Sequence, residues 1–443
     1  MEKNMPRFML GKTHVPHRKN TAGMESVRMG APETVVIPTS QHIGAPATPI
    51  VKVGDTVYVG TKIGEAGGFV SSPIHSSVSG KVKKIDQLLA QGGRSCDAIV
   101  IESDGLMTPD PAIAPPAVSD LDGFISAVRE SGLVGLGGAG FPTAVKLEAE
   151  KKGLIRRVIL NGAECEPYIT SDTLTMKNDA EYIREGVKLL QKYLTVEEVF
   201  IGIENNKPDC IAHLTEVFSY DKTVKVVALP STYPQGAEKV LIYNTTGLTV
   251  PEGGLPSDVG CLVMNVTSVA FLAKYFETGM PLVEKCVTVD GSAIKNPMNV
   301  IAPIGTPVDK LIEFTGGFSE EPGKIMYGGP MMGNAMYSAE YPVMKNTNAI
   351  TAFNKKDAEP PKTRNCIHCG RCVAACPIGL NPTLFARSMK VEDKAERAQR
   401  LEEAKIGLCM ECGCCSFVCP SARPLVQTNR LAKADLRANS AKK

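Results

Sequence analysis

No stretch of the 443 residues approaches the roughly 18 to 20 consecutive apolar side chains that a bilayer-crossing helix needs. The most apolar run, Val259 to Ala273, is interrupted by Asn265, Thr267 and Ser268, so no transmembrane helix is predicted. Net charge is nearly absent too, since 49 lysines and arginines face 47 acids for a formal +2. That balance excludes nucleic acid as a leading partner, because phosphate backbones are bound through a surplus of cations. Also missing, from the basic opening MEKNMPRFMLGKTHVPHRKN, are the apolar segment and small-residue cleavage site of a secretory signal, and a cytoplasmic location is expected. Disulfides are rare in such a reducing compartment, so the 14 cysteines need another reason. The length leaves room for two or three separate cores.

Eight of the cysteines repeat one pattern. Cys366-x2-Cys369-x2-Cys372-x3-Cys376-Pro377 is followed by Cys409-x2-Cys412-x2-Cys415-x3-Cys419-Pro420, and each matches the run that holds 4Fe-4S clusters in bacterial ferredoxins. Three closely spaced thiolates from one tight loop reach three iron corners, and the fourth, leaving on a new segment, serves the other cluster. One cluster therefore takes Cys366, Cys369, Cys372 and Cys419, and the other Cys409, Cys412, Cys415 and Cys376. Zinc in short spacings prefers two CxxC pairs, without a third cysteine and a trailing Cys-Pro. Cys414 reads as a packed thiol, and His368 as a residue that hydrogen-bonds or faces solvent. The charged spacer between the runs predicts a largely solvated helical hairpin.

From about Asp120 to Met280 helical and strand-like runs alternate. DLDGFISAVRESG and AEYIREGVKLLQKYL read as helices, and RRVIL, EVFIGI and TVKVVAL as buried strands, predicting an α/β domain with a substantially parallel sheet. The loop Gly135-Leu136-Gly137-Gly138-Ala139-Gly140-Phe141-Pro142-Thr143 follows a helix, which excludes a Rossmann fingerprint. Pro142 suits the first position of a new helix, and Lys146 lies one turn on, so anion binding is the natural reading. Asn161-Gly162-Ala163-Glu164-Cys165-Glu166-Pro167 puts polar groups at the carboxyl end of the next strand, where open sheets bind ligands. Clusters move single electrons and nicotinamides a hydride, so a flavin between them would join the two.

GLGGAGFPTAVK followed by NGAECEP resembles the FMN- and NADH-binding subunit of respiratory complex I and, more fully, the C subunit of the Rnf complexes, which couple electron transfer between ferredoxin and NAD to Na+ or H+ translocation. The likeness extends through YPQGAEKVLI, YGGPMMG and both cysteine runs. It implies that Gly135, Gly137, Gly138, Lys146, Asn161, Glu164 and Asn265 hold non-covalent FMN, and that Phe141, Glu166 and Glu238 contact NAD(H). No side chain is expected to act as acid or base. Leu136 and Ala163 stand where complex I has an arginine and an aspartate. The implied partners are the other Rnf subunits, integral membrane subunits and a ferredoxin-like one among them, with this chain peripheral on the cytoplasmic side of the cell membrane.

The expected architecture is multidomain α/β plus β. An N-terminal arm (1–30) carries His14 and His17 and is expected to lie on a partner subunit. A barrel-sandwich domain of biotinyl/lipoyl type (31–110) has serines where a carrier would have its lysine, which favours docking over a swinging arm. The FMN/NADH-binding domain (115–280), a β-grasp domain of SLBB type (281–345), a linker (346–364), the two-cluster ferredoxin-type module (365–430) and a tail (431–443) follow. The Gly328–Gly333 turn either reaches the flavin or is a rigid turn capped by core methionines. Rival readings are a soluble cobalamin reductase of bacterial microcompartments and an electron-relay or scaffold subunit without dinucleotide chemistry.

Overall fold

The computed structural model describes residues 11–89 and 95–440. Its central α/β domain is built on a wholly parallel sheet of four strands, in the order Val224–Leu229, Glu198–Glu204, Arg157–Gly162, Cys261–Asn265. Alternation along the strands feeds two cores. Val158 and Leu160 pack with the helices Ala180–Tyr193 and Val266–Thr278, whereas Ile159 packs beneath the helix Glu238–Thr246. Val224–Leu229, expected to be buried, is instead the sheet's half-covered edge. Its Lys225 pairs with Glu198 on the neighbouring strand, and such charges discourage further strand pairing.

The barrel-sandwich domain closes two small sheets over Val35, Ile37, Ile63, Ile74, Ile99 and Ile101. Ser76, Ser77 and Ser79 at its hairpin tip are buried, and the Ser77 hydroxyl donates to the Ile304 carbonyl of the β-grasp domain. A tip sealed in this way cannot swing. Lys345 fastens the same junction, donating to the Pro73 carbonyl at 2.6 Å and the Gly132 carbonyl at 2.7 Å, so three domains meet on one ammonium. Burial pushes that lysine down to about 7.

Three expectations need correcting. The segment 346–364, read as a linker, contains the strand Ala349–Asn354, whose residues are almost all buried between Glu284–Asp290 and Pro322–Tyr327 in the six-stranded β-grasp sheet. Its lysines and prolines mark only the stretch after the strand, so the domain does not end at 345. The arm's residues 11–30 are not free of this chain but pack on it: Thr13 bridges to Tyr233, and Ser26–Arg28 runs parallel to Met298–Pro303. Residues 1–10 lie outside the described residues. The spacer between the cysteine runs does form helices, Pro382–Ser388 and Lys394–Glu403, but it is not merely solvated. Phe385 and Leu401 are fully buried beside Ala432 of the final helix Leu425–Ser440, which also runs through the expected boundary at 430.

Candidate functional site

Near the carboxyl ends of two neighbouring strands, Asn161 and Asn265 face each other in register. The sheet's order turns at this place, with Glu198–Glu204 and Val224–Leu229 on one side of Arg157–Gly162 and Cys261–Asn265 on the other. Such a turn opens a ligand crevice beyond the carboxyl ends. Asn265 caps the helix Val266–Thr278, its Oδ1 accepting from the amides of Thr267 at 3.0 Å and Ser268 at 3.3 Å. Its Nδ2 donates to Asp172 at 2.7 Å, so both ends of the amide are fixed.

The glycine loop lies against this asparagine. A β-carbon at Gly137 would fall 2.9 Å from Asn265 Nδ2, while Gly138, in the left-handed region at φ +138°, faces open space. The loop is closed by the Gly135 amide donating to the Phe141 carbonyl at 2.8 Å, and Leu136 is buried with its amide on Ser268 Oγ at 3.1 Å. An arginine at Leu136 would have no room. Lys146 donates to the Val263 carbonyl at 3.0 Å and pairs with Glu238 at 3.3 Å. Asn161 Nδ2 donates to the Gly236 carbonyl at 2.9 Å. Gly137 and Asn161 thus both lie against Asn265, with the Gly135–Phe141 loop and the Lys146–Glu238 pair on elements that adjoin this end of the sheet. Bare backbone at the glycines, two amides and one cation suit a flat ring carrying a phosphate.

Glu164 and Glu166 each gather protein donors on their carboxylates. The Glu164 carboxylate accepts from the amides of Asp172 at 2.7 Å and Thr173 at 3.2 Å, where the helix Ser171–Asn178 begins. Burial pushes its carboxyl up, against the pull of Lys19 and Lys207. These two lysines were missed by sequence reasoning. Lys19 donates to the carbonyls of Glu164, Glu166 and Ile169 at 2.7, 3.0 and 2.6 Å, and Lys207 to that of Ala163 at 2.7 Å, so the whole NGAECEP loop is held from behind. Nothing in their local sequence signals this. Asp172 could have been found, since Ser171-Asp172-Thr173 is a helix-opening run. Cys165 accepts the Gly236 amide at 3.4 Å, and burial pushes its thiol up to about 12, so it is a packed thiol rather than a nucleophile.

Glu166 is a strut. One carboxylate oxygen accepts the amides of Met331 at 2.6 Å and Met332 at 3.1 Å, and the other accepts the Tyr233 hydroxyl at 3.2 Å. The Gly328–Gly333 turn is thus docked on it, and Gly329 is needed because a β-carbon there would collide with Glu166 Cγ. On the far side of Tyr233 and Met331 lie Val15, Cys412 and Cys414 in one apolar cluster. Cys414 is fully buried, its thiol 3.8 Å from the Tyr233 carbonyl. The arm histidines lie near by without clustering: His14 is exposed, and His17 Nδ1 lies 3.3 Å from Asn206 Nδ2.

The two cysteine runs fold as one repeated unit. His368 and Gly370 in the first are left-handed at φ 56° and 75°, and Glu411 and Gly413 at the same places of the second at 58° and 83°. Each loop leads into a one-turn helix, Arg371–Ala374 and Cys414–Phe417. Cys366, Cys369 and Cys372 line a cavity of about 190 Å³ together with Cys419 of the other run. Burial raises the Cys376 thiol, and among its neighbours Cys412 and Cys409 push the same way. An all-sulfur donor set around the first cavity, and the grouping of Cys376 with Cys409, Cys412 and Cys415, suit 4Fe-4S clusters. His368 is exposed at the first cavity's rim, its Nδ1 at 3.4 Å from Arg387 Nη2.

Residues 128–274 match the family model described as the Nuo51 FMN-binding domain, and residues 8–106, 286–335 and 362–423 match the RnfC barrel sandwich hybrid domain, the SLBB domain and the 4Fe-4S dicluster domain. The C subunit of the Na(+)-translocating ferredoxin:NAD(+) oxidoreductase complex of Acetobacterium woodii is 47% identical over 85% of this chain and 86% of its own length. The C subunit of the proton-translocating ferredoxin:NAD(+) oxidoreductase complex of Clostridium ljungdahlii is 43% identical over 83% and 81%. Among solved structures, an NAD+-reducing nickel–iron hydrogenase in the air-oxidized state shares the fold at a TM-score of 0.51 and 19% identity, over 74% of this chain and 67% of that one.

Proposed function

This chain belongs to the family of C subunits of ion-translocating ferredoxin:NAD(+) oxidoreductase complexes, and we propose that within it electrons pass between the two clusters and NAD through an FMN seated in the crevice of Asn161 and Asn265. Bound flavin supplies the exchange between hydride and single electrons that neither nicotinamide nor cluster makes alone. One observation carries the reading: the loop that borders the crevice, Ala163 to Pro167, is braced through Glu166 and Tyr233 against the buried Cys412. Crevice and cluster module are therefore neighbours. The microcompartment cobalamin reductase reading gives way to the matches over residues 8–106 and to the relatives. Among the described residues no helix is long and apolar enough to cross a membrane, in keeping with a peripheral subunit.

The chain's own residues bind, orient and exclude water. Gly137 and Gly138 leave room for the flavin ring, Gly135 shapes the loop beneath it, and Asn161, Asn265 and Lys146 supply polar contacts. Glu164 holds the loop from within. Phe141 and Glu238, both part-exposed, would contact NAD(H), and Glu166 fixes the Met331–Met332 turn. Cys376, Cys409, Cys412 and Cys415 would hold the cluster on the side of Tyr233 and Glu166, nearer the crevice. That at Cys366, Cys369, Cys372 and Cys419 meets solvent through the open cavity, rimmed by Arg371, Arg423 and the exposed Ile367, a face suited to an acidic ferredoxin-like donor on the cytoplasmic side of the membrane.

Glu166→Gln tests the site. Three donors converge on the carboxylate, and an amide offers them one acceptor oxygen and an NH2. Charge-assisted bonds of this kind contribute about 1.5–3 kcal/mol. Reduction of the cluster-loaded chain by NADH should slow at least tenfold in kcat/KM, about 1.4 kcal/mol, with both clusters retained. A rise confined to KM marks contact with the nucleotide, and a fall confined to kcat marks the strut. Unchanged kinetics would remove Glu166 from the site.

A further inference from the structure

The two cysteine runs share their ligand spacing and loop geometry, and the helices that follow them differ at a buried position beside the ligands. Aligned on their Cys-Pro pairs, Arg387 of the first corresponds to Arg430 of the second, and both reach back to the residue after next from the first cysteine: Arg387 to His368 at 3.4 Å, Arg430 to Glu411 at 3.4 Å. One residue earlier the symmetry fails, with Ala386 in the first helix and Asn429 in the second. Ala386 packs beside Cys372 and Cys419 and has no hydrogen to donate. Asn429 is 1% exposed and directs its amide nitrogen at Cys409 Sγ, 3.5 Å away, and Cys415 Sγ, 3.9 Å away.

Asn429 has no evident structural reason to be polar. Its Oδ1 is buried without a hydrogen-bond partner among the described residues. An unpartnered buried acceptor costs about 1–3 kcal/mol, so a leucine-like side chain would serve the fold better. The amide nitrogen's partners in this place are the two cysteine sulfurs. Hydrogen bonds to cluster sulfurs are among the levers that set reduction potential. They stabilise the extra negative charge of the reduced state and so raise the potential.

We propose that Asn429 raises the potential of the cluster held by Cys376, Cys409, Cys412 and Cys415 above the value its symmetric environment would give, making this cluster the electron acceptor of the pair and the feeder of the flavin. The inference rests on the crossed ligand assignment and on the reading of the crevice as the flavin's seat. The exposed cluster, with Ala386 in the matching place, receives no such bond. Electrons arriving there are drawn inward to the cluster beside Tyr233.

The test is an EPR-monitored redox titration of the full chain carrying both clusters. Cys369→Ala, which removes a ligand of the exposed cluster, identifies the signal of the inner one. Asn429→Ala should lower the inner cluster's midpoint by the equivalent of a three- to tenfold change in its one-electron equilibrium, about 28–59 mV at 59 mV per decade, and leave the other unmoved. Asn429→Asp keeps the size, removes the donor and adds negative charge, so it should lower the midpoint at least as far; it decides the matter should the alanine variant lose the cluster. Unmoved midpoints in both variants would overturn the inference. A shift confined to the exposed cluster's signal would overturn the ligand assignment instead.

Discussion

Cys419→Ala should abolish the cluster held by Cys366, Cys369 and Cys372 while the cluster nearer to it in sequence survives. Cys419 follows Cys409, Cys412 and Cys415 along the chain, yet it lines the cavity of the first run. The reason is local. Each third ligand lies within a one-turn helix that carries the chain away from its own loop, and the Cys-Pro that follows prevents the helix from continuing. EPR of the loaded chain should give Cys419→Ala the same residual signal as Cys369→Ala, and Cys376→Ala the same as Cys412→Ala. The opposite pairing would mean that each run closes on itself.

Gly137→Val should empty the flavin site and leave both clusters in place. Its β-carbon would arrive 2.9 Å from Asn265 Nδ2, and the branched carbons beyond it would enter the crevice. Asn265 cannot step aside cheaply. It is tied to Asp172 on one end and to the amides of Thr267 and Ser268 on the other, and losing such a cap costs about 1 kcal/mol. Purified variant should show the absorbance of clusters without that of flavin, iron content unchanged, and NADH oxidation down at least a hundredfold. Full flavin occupancy would take Gly137 out of the cradle. Asn265→Ala, which frees the space but loses a polar contact, should retain flavin with weaker affinity.

Much of this was legible in the chain because it is local. The cysteine runs, the glycine loop, and the strand that ends in Asn161-Gly162 are contiguous segments whose spacing carries their geometry. What stayed hidden depends on contacts between distant segments. Lys19 and Lys207 are ordinary lysines until burial beneath the 163–169 loop makes them donors to its carbonyls. Glu166 sits in the right motif, but its three donors come from residues 233, 331 and 332, and no pattern around Glu166 announces them. Ala349–Asn354 reads as a linker because its neighbours are polar and proline-rich, whereas the strand is stabilised by pairing on both sides. Asn429 lies in a helix of ordinary composition, and only the symmetry between the two runs makes it conspicuous.

The central claim is that one chain joins single-electron clusters to a two-electron nucleotide through its own flavin. The most direct test uses the isolated chain loaded with FMN and both clusters, reduced, freed of reductant and mixed anaerobically with NAD+. One NADH is expected for every two electrons held, formed as the cluster EPR signals vanish and the flavin absorbance returns, and none from Gly137→Val. Clusters that stay reduced beside NAD+ while flavin is bound, or NADH formed equally well without flavin, would contradict it.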